Sequence, residues 1–315
     1  MGGYERGREN VSNFPTLNFP AFHRQFMTLP ATMFRQLLRV AKVGAPASPR
    51  FFSHTAIRPR MAIVTGGSRG IGKAISLRLA RDGYDITVND VPENQKLIDS
   101  TVSEIEALGR RALGHAADVS NPDAVGELVS ASVSALGPLT AMVANAGIVQ
   151  VKPLLEVTAA DWDRMFAVNA AGVHWCFQAA ARQMIHQGTP GKLIAAASVA
   201  AFRPAAMIGH YSASKWAVRG LCNTYAVELA PHRITVNAYA PGVVDTSMWD
   251  LIDSEMSKMQ GKPKGEVMKG VEEIIPLGRV SVPEDVAGLV GFLASPDADY
   301  ITAQTYIVDG GIQNS

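Results

Sequence analysis

Short apolar segments alternate with amphipathic helical segments from residue 61 to the end of the chain, and this alternation limits the fold more than any other feature. Strands separated by helices predict β–α–β units, with a parallel sheet covered by helices on both faces. Strands that are apolar along their whole length fit burial on both faces. We predict a doubly wound α/β fold with seven strands, at Met61–Thr65, Asp85–Asn89, Ala112–Ala116, Thr140–Ala144, Lys192–Ala197, Ile234–Ala238 and Gln304–Val308. Helices are expected between them, for example at Gly70–Asp82, Pro122–Leu136 and Tyr211–Ala230.

Residues 1–60 differ from the rest of the chain, so we predict a single domain over residues 61–315 preceded by an N-terminal extension. The extension shows no sustained strand or helix period. No Asp or Glu occurs from Asn10 to Arg81, and Met33–Lys42 could form a basic amphipathic helix. These features fit a mitochondrial transit peptide. A disordered tail or a later start site is the alternative, which leaves mitochondrial matrix and cytoplasm both open.

The overall composition excludes several classes of function. The formal net charge is +1, which argues against a general attraction to nucleic acid or to anionic membranes. No apolar run is long enough to cross a bilayer as a helix. The chain has two cysteines, Cys176 and Cys222, and neither belongs to a metal-ligand cluster. We interpret them as reduced, buried thiols and predict no metal site.

A glycine-rich turn, Thr65–Gly72, connects the first predicted strand to the first predicted helix. Gly66 permits a tight turn, Gly70 lets the backbone approach a pyrophosphate, and Gly72 lets the helix pack closely on the sheet. The N-terminus of the helix then offers free N–H groups to phosphates. Its position between strand and helix favours a dinucleotide site and a Rossmann-type sheet over an ordinary turn.

Two residues bear on which dinucleotide is bound. Asp90 ends the second strand, where a carboxylate would bind the adenosine ribose hydroxyls and repel a 2′-phosphate. Arg69 lies within the glycine turn and could attract that phosphate. Because a carboxylate on the ribose both binds NAD and disfavours NADP, we expect NAD(H) to be favoured, with NADP(H) as the alternative.

A tyrosine and a lysine four residues apart predict acid–base chemistry. Tyr211 and Lys215 share one face of the predicted helix. A tyrosine has an ordinary pKa of about 10, and a nearby ammonium is expected to lower it towards neutrality. Tyr211 could then donate a proton to a carbonyl oxygen as hydride arrives, or accept it in the reverse reaction. Ser198 follows a predicted strand, where its hydroxyl could bind the substrate oxygen.

These motifs, in this order, resemble the short-chain dehydrogenases/reductases over about Met61 to Gly311. The resemblance implies an NAD(P)-dependent oxidoreductase acting on CH–OH groups and assembled as a homotetramer. It implies a catalytic tetrad of Asn169, Ser198, Tyr211 and Lys215. It also implies a set of cofactor-binding residues: Gly66, Ser68, Arg69, Gly70, Ile71, Gly72, Asp90, Asp118, Val119, Asn145, Ala146, Gly147, Tyr211, Lys215, Pro241, Gly242, Val244 and Thr246.

Within that family, the C-terminal part resembles the acetoin (diacetyl) reductases and the 2,3-butanediol dehydrogenases. The segments Ser247–Asp253, Gly261–Gly265, Pro276–Asp285 and Ala294–Thr302 carry this likeness. It implies a small diketone or hydroxyketone substrate, or the matching secondary alcohol, under a substrate lid at about residues 246–270. Met248 and Trp249 would give the lid an apolar inner face, unless they only pack the lid helix on the body.

Two departures leave the exact substrate and stereochemistry open. Val199 and Ala205 stand where one branch of those enzymes carries Gln and Asn, so the pocket beside Ser198 and Tyr211 is expected to be less polar. The alternative activity is an NADPH-dependent 3-oxoacyl-thioester (acyl carrier protein) reductase, which Arg69 would suit. A non-catalytic dinucleotide-binding protein is the alternative outside enzymes, and the intact Tyr211 and Lys215 argue against it.

Overall fold

A computed structural model describes residues 60–313, which contain a seven-stranded, wholly parallel sheet. The strand order is β3-β2-β1-β4-β5-β6-β7. The strands are β1 (Arg60–Thr65), β2 (Tyr84–Asp90), β3 (Ala112–Ala116), β4 (Leu139–Ala144), β5 (Gly191–Ala196), β6 (Ile234–Pro241) and β7 (Thr305–Val308). The order reverses between β1 and β4. A crevice therefore opens at the carboxyl ends of these two strands, where such sheets bind their ligands.

Nine α-helices connect or follow the strands within this part of the chain. They are α1 (Gly70–Arg81), α2 (Gln95–Ala107), α3 (Pro122–Leu136), α4 (Ala159–Phe166), α5 (Gly172–Gln187), α6 (Gly209–Leu229), α7 (Ser247–Gln260), α8 (Glu266–Glu272) and α9 (Pro283–Ala294). A π-helical turn, Ala167–Ala171, joins α4 to α5. The crossovers β1–α1–β2, β2–α2–β3 and β3–α3–β4 follow the predicted β–α–β pattern.

Two apolar layers pack on opposite faces of the sheet. One layer contains side chains of α3, α5 and α6, represented by Leu128, Phe177 and Val218. The other contains side chains of α1, α2 and α9, such as Ile75 and Ile98. All five side chains are fully buried. The predicted doubly wound, Rossmann-type sheet with helices on both faces is therefore confirmed.

All seven predicted strands are present, and the differences lie at their ends. The largest is in β6, which runs to Pro241 rather than Ala238, because Pro241 still pairs with Val308 of β7. The helix that carries the Tyr/Lys pair starts at Gly209, two residues before Tyr211. A strand ends where its pairing with the neighbouring strand ends. The hydrophobic pattern of a single strand carries no information about that neighbour.

The predictions for the N-terminal extension fall on residues 1–59, outside the described residues. Within the part of the chain that is described, no helix is long and apolar enough to cross a membrane. Cys176 and Cys222 are both free and buried, as predicted. Burial raises the pKa of each thiol to about 12, so both stay protonated and unreactive at neutral pH.

Candidate active site

The glycine turn wraps tightly over the end of β1. Gly66 and Gly70 adopt left-handed backbone conformations with φ of 60° and 52°. A Cβ atom on Gly72 would collide with the carbonyl oxygen of Gly66 and lie 2.6 Å from the side-chain nitrogen of Asn145. No larger residue fits at Gly72 without displacing the turn from the sheet.

The first turn of α1 is suited to bind an anion. No side chain caps its N-terminus, and its first turn contains no acidic residue. Its leading N–H groups therefore remain available to a ligand, and the helix dipole favours negative charge at this end. A Cβ on Gly70 would lie 3.4 Å from the methyl group of Thr246, the residue that begins the lid. The glycine turn and the start of the lid therefore lie close together at Gly70.

Asp90 lies at the end of β2 beside the glycine turn, as predicted. Its carboxylate accepts hydrogen bonds from the Ser68 hydroxyl at 2.5 Å, the Val91 amide at 2.9 Å and the Asn94 side chain at 2.9 Å. These bonds hold the carboxylate in one orientation. Arg69 is exposed and its guanidinium lies 3.4 Å from the Ser247 hydroxyl at the start of α7. Asp90 and Arg69, which are predicted to discriminate between NAD and NADP, therefore both lie at the glycine turn, Asp90 beside it and Arg69 within it.

Asn145 holds the end of β4 against the glycine turn. Its side-chain amide donates to the carbonyls of Thr65 and Gly66, at 2.9 and 3.2 Å. Its side-chain oxygen accepts a hydrogen bond from the Tyr239 hydroxyl at 2.8 Å. The side chain of Asn145, which was predicted to line the cofactor cleft, is therefore used in hydrogen bonds that hold the glycine turn, β4 and β6 together. We call this set of hydrogen bonds the brace. Ala146 continues the brace, because its amide donates to the Thr65 hydroxyl at 3.1 Å.

The other predicted cofactor residues lie around the carboxyl edge of the sheet. After β3, Asp118 is exposed and accepts a hydrogen bond from the Ser120 amide, whereas Val119 is buried. Pro241 ends β6 and Gly242 packs so closely on Asp309 that a Cβ would lie 2.6 Å from that side chain. The remaining members are Ile71 in the first turn of α1, Gly147 after β4, buried Val244 and half-buried Thr246.

Ser198, Tyr211 and Lys215 come together beside the end of β5. The Tyr211 ring is buried, and the Lys215 ammonium lies 5.7 Å from its centroid. That ammonium donates to the carbonyl of Ala196 at 2.8 Å. The Ser198 hydroxyl hydrogen-bonds the phenol and so favours its ionised form. Ser198 after β5 and the two tetrad members on α6 are therefore adjacent, as their predicted roles require.

Burial has the largest effect on the pKa of the Tyr211 phenol and on that of the Lys215 ammonium. It raises the pKa of Tyr211 above its ordinary value, although the hydrogen bond from Ser198 lowers it. Burial also lowers the pKa of Lys215 to about 8. The net shift of the Tyr211 pKa is therefore upward, opposite to the fall that was expected from the nearby Lys215. The low-dielectric surroundings disfavour both charged forms, the phenolate of Tyr211 and the ammonium of Lys215.

Asn169, the fourth predicted tetrad residue, lies in the π-helical turn between α4 and α5. Its amide donates to the Ile148 carbonyl at 2.9 Å and to the Ser214 hydroxyl at 3.1 Å. Its oxygen accepts from the Ile148 amide at 2.9 Å. A Cβ on Gly147 would lie 3.3 Å from Asn169 and 3.4 Å from the Lys215 ammonium. Asn169 thus joins the loop after β4 to helix α6.

The predicted substrate contacts occupy two separate segments. Val199 is half-buried in the turn after β5, and Ala205 is exposed in the loop before α6. Met248 and Trp249 are half-buried in the first turn of α7, the helix that begins the predicted lid. The lid itself is a pair of helices, α7 and α8, and ends at Glu272.

Sequence reasoning missed two buried side chains beside the catalytic group. The Tyr239 hydroxyl donates to the Asn145 side chain, but Tyr239 lies one residue beyond the predicted strand Ile234–Ala238 and belongs to none of the predicted motifs. His210 precedes Tyr211 and is fully buried, with one ring nitrogen 3.0 Å from the Gln150 side chain. Burial lowers the pKa of His210, which favours the neutral ring. A polar residue directly before Tyr211 was the available signal.

Comparison with known proteins gives concordant matches. A family model described as short chain dehydrogenase matches residues 60–257. L-2,3-butanediol dehydrogenase of Corynebacterium glutamicum is 47% identical over 253 residues, covering 80% of this chain and 98% of the relative. Diacetyl reductase ((S)-acetoin forming) of Staphylococcus epidermidis is 43% identical over 254 residues, with coverage of 80% and 98%. The crystal structure of acetoin dehydrogenase from Enterobacter cloacae aligns with a TM-score of 0.71 at 35% identity, covering 81% of this chain and 96% of that one.

The buried lysine generates a prediction about stability. Because the folded pKa of Lys215 is about 8 and its ordinary value is 10.5, the unfolded chain binds more protons between these pH values. The penalty is therefore fully present below pH 8 and disappears as pH rises towards 10.5. Lys215→Met should raise the free energy of unfolding at pH 7 by about 2 kcal/mol, since relief of about 3 kcal/mol is partly offset by the lost hydrogen bond to Ala196.

Urea unfolding at pH 7 and at pH 10 measures this difference. The gain should shrink at the higher pH. Lys269→Met, which removes an exposed lysine, is the control and should change little at either pH. A Lys215→Met protein less stable than the wild type at pH 7 would contradict the argument.

Proposed function

Because the chain belongs to the short-chain dehydrogenase family, we propose that it reduces a small vicinal diketone or hydroxyketone of the diacetyl or acetoin type, or oxidises the matching secondary alcohol. The family makes it an NAD(P)-dependent oxidoreductase acting on CH–OH groups. The observation that carries the proposal is the adjacency of Ser198, Tyr211 and buried Lys215 at the carboxyl edge of the sheet. The substrate class rests on the names of the most similar relatives.

The chain's own residues fit a nicotinamide dinucleotide. The uncapped N-terminus of α1 would bind the pyrophosphate, and Asp90 would bind the adenosine ribose. Asp118 and Val119 would hold the adenine. Lys215 would hold the nicotinamide ribose, and Thr246 would hold the carboxamide. When bound, the cofactor supplies or accepts the hydride.

The acid–base step belongs to Tyr211. In the reducing direction its phenol, with the pKa raised by burial, stays protonated at neutral pH and donates its proton to the substrate oxygen. The Ser198 hydroxyl would bind the same oxygen and orient it towards Tyr211. The Lys215 ammonium stabilises the phenolate that remains after transfer, because the two groups lie on one face of α6. In the oxidising direction the proton returns to Tyr211.

Asn169 supports that proton transfer. Its amide is held by the Ile148 backbone and by Ser214, three residues from Tyr211. Gly147 leaves space for Asn169 and Lys215 to lie on either side of one small region. A water molecule bound between Asn169 and Lys215 could return a proton to Tyr211 through Lys215. In this proposed proton relay, Asn169 would hold the water in place.

The lid would limit the size of the substrate. Thr246 is the N-cap residue of α7 and lies next to the glycine turn. Met248 and Trp249 therefore follow where they would cover a substrate above the cofactor. With Val199 on the opposite side, the pocket offers apolar surface to a short carbon chain. Apolar walls exclude water and leave Ser198 and Tyr211 as the polar contacts of the carbonyl.

We further propose a homotetramer. The outer surfaces of α4, α5 and α6 form an open groove of 1080 Å³. On it Trp162 stacks on Phe166 with ring centroids 4.7 Å apart, and 41% of Trp162 is exposed. Within residues 60–313, β7 is an edge strand of the sheet and offers a second, separate surface. Two self-complementary contacts of this kind generate a tetramer with three two-fold axes.

The division into an extension and a single catalytic domain is also a proposal. The butanediol dehydrogenase aligns over 98% of its own length while covering 80% of this chain. This supports a catalytic unit that corresponds to residues 61–315. The role of residues 1–60 as a mitochondrial address or a tail of a cytoplasmic enzyme stays a prediction.

Loss of the phenol should stop turnover. Tyr211→Phe removes the acid but no proposed phosphate or adenine contact, so the rate should fall by at least about a hundredfold while NADH still binds. Steady-state rates with diacetyl and fluorescence titration with NADH measure the two effects. Tyr84→Phe, which alters a buried tyrosine bonded to Ala294 far from the site, is the control. A Tyr211→Phe rate within a few-fold of wild type would remove Tyr211 from the mechanism.

The cofactor preference should depend on Asp90. We expect kcat/KM to favour NADH over NADPH, and Asp90→Ser to weaken or reverse the preference, because the carboxylate would no longer repel the 2′-phosphate. Asp123→Asn changes an exposed carboxylate on α3 and should leave the ratio unchanged. A wild-type preference for NADPH would contradict the assignment and favour a 3-oxoacyl-thioester substrate, which a parallel assay with an acetoacetyl thioester would test.

The lid tryptophan should govern substrate length. A hydrophobic pocket discriminates by roughly 1–3 kcal/mol per methylene, so kcat/KM should fall gradually along a series of lengthening diketones. Trp249→Ala should flatten that series and raise KM for diacetyl. Trp216→Ala removes an exposed tryptophan on α6 and serves as the control. An unchanged series in Trp249→Ala would make Trp249 a packing residue only.

A further inference from the structure

The second helix of the lid lacks an N-cap side chain of its own. Helix α8 has seven residues and begins after Gly265, whose φ is 99° and which offers no side chain to the first turn. Helices this short are marginal in water unless their ends or faces are held by other parts of the protein. The free N–H groups at the start of α8 therefore need a partner from elsewhere in the fold.

Asp253 of α7 is that partner. One carboxylate oxygen accepts from the Gly265 amide at 2.6 Å, and the other accepts from the Met268 amide at 2.9 Å. These amides occupy the N-cap and third positions of α8, and the third position is one that an ordinary N-cap side chain would satisfy. Asp253 thus caps a helix from which it is separated by 12 residues in sequence.

The Asp253 carboxylate is only 2% exposed, and no basic side chain pairs with it within residues 60–313. A buried charge is tolerated when hydrogen bonds satisfy it. The two N–H groups and the positive end of the α8 dipole are what satisfy this one. The carboxylate and the helix terminus therefore depend on each other, and together they join α7 to α8.

This joint lies between two fixed ends of the lid. At one end Thr246 begins α7 beside the glycine turn. At the other, Ile275 is buried against Gly310, and the Leu277 amide donates to the Gly310 carbonyl at 3.1 Å. If the seven residues of α8 unwound from about 1.5 Å to about 3.3 Å per residue, the segment that leads back from α7 to the body would gain about 13 Å of length. Helix α7 could then move away from the site.

We propose that Asp253 is a positioning residue that sets substrate size by holding α7 and α8 together as one body. Trp249 lies one helical turn before Asp253 on α7, so the joint fixes the height of that side chain over the substrate. This inference rests on the proposed function for its substrate. The joint itself is independent of the reaction.

Amide hydrogen exchange of the full-length protein tests the joint directly. In the wild type, after correction for intrinsic rates, the amide of Met268 should exchange at least about tenfold more slowly than that of Val267, for which no hydrogen bond is found among the described residues. Asp253→Asn replaces the carboxylate with one neutral acceptor oxygen for two donors, which weakens the capping of α8, so exchange at Met268 should become faster. Equal exchange of Met268 and Val267 in the wild type would overturn the proposal without any variant.

Kinetics of the same variant test the consequence for specificity. Asp253→Asn should raise KM for diacetyl more than it lowers kcat, and discrimination per methylene should fall from about tenfold or more to less than about threefold. NADH affinity should not change, because no proposed cofactor contact is touched. Glu255→Gln, which removes an exposed ion pair with Lys258 on the same helix, is the matched control and should behave as the wild type.

The two sets of results separate the proposals. Loss of protection at Met268 with an unchanged chain-length series would refute the role of Asp253 in specificity. A wild-type enzyme that does not use diacetyl would refute the proposed substrate, and exchange at Met268 would still decide whether the joint exists. Faster exchange with a flattened series, in a variant that binds NADH normally, is the expected result.

Discussion

The whole site depends on the close packing of the glycine turn against the end of β4. Gly72 has no room for a side chain because the Gly66 carbonyl occupies that space, and Asn145 holds that carbonyl and the one before it. Helix α1 consequently starts directly above the sheet. Its N-terminus, the carboxylate of Asp90 and the beginning of the lid are all placed by this one contact. Tyr239 completes it from β6, so the brace spans the reversal in strand order.

Burying the polar groups of the site lowers the free energy of unfolding of the protein. Lys215, Tyr211 and His210 are buried next to the apolar body, and burial disfavours the charged form of each. The nearby hydrogen-bond partners are few and specific: the Ala196 carbonyl for Lys215, the Ser198 hydroxyl for Tyr211 and the Gln150 side chain for His210.

The sequence predicts most of the fold and the chemical groups, and it fails where long-range contacts decide. Mostly apolar strands such as β1 and a glycine turn leading into a helix are local patterns, so the sheet and the turn follow from them. Whether the pKa of Tyr211 is raised or lowered depends on how deeply its side chain is buried. The four-residue spacing between Tyr211 and Lys215 carries no information on burial. Asp253 looks like one more surface carboxylate of an amphipathic helix, and its partners Gly265 and Met268 become visible only in three dimensions. Asn145 shows the opposite case, since its position was predicted and its use as a brace was not.

The π-helical turn at Ala167–Ala171 has a consequence for how this protein can vary. One additional residue in a helical turn rotates everything after it by about 100° relative to an uninterrupted α-helix. The turn both brings Asn169 to the Ile148 backbone and sets the rotational phase of α5, whose outer face carries His174 and Gln178 into the groove. Deleting a single residue there would change the interior and the exterior of the helix together. Point substitutions can tune either surface separately, but a change of chain length in this turn would shift both at once.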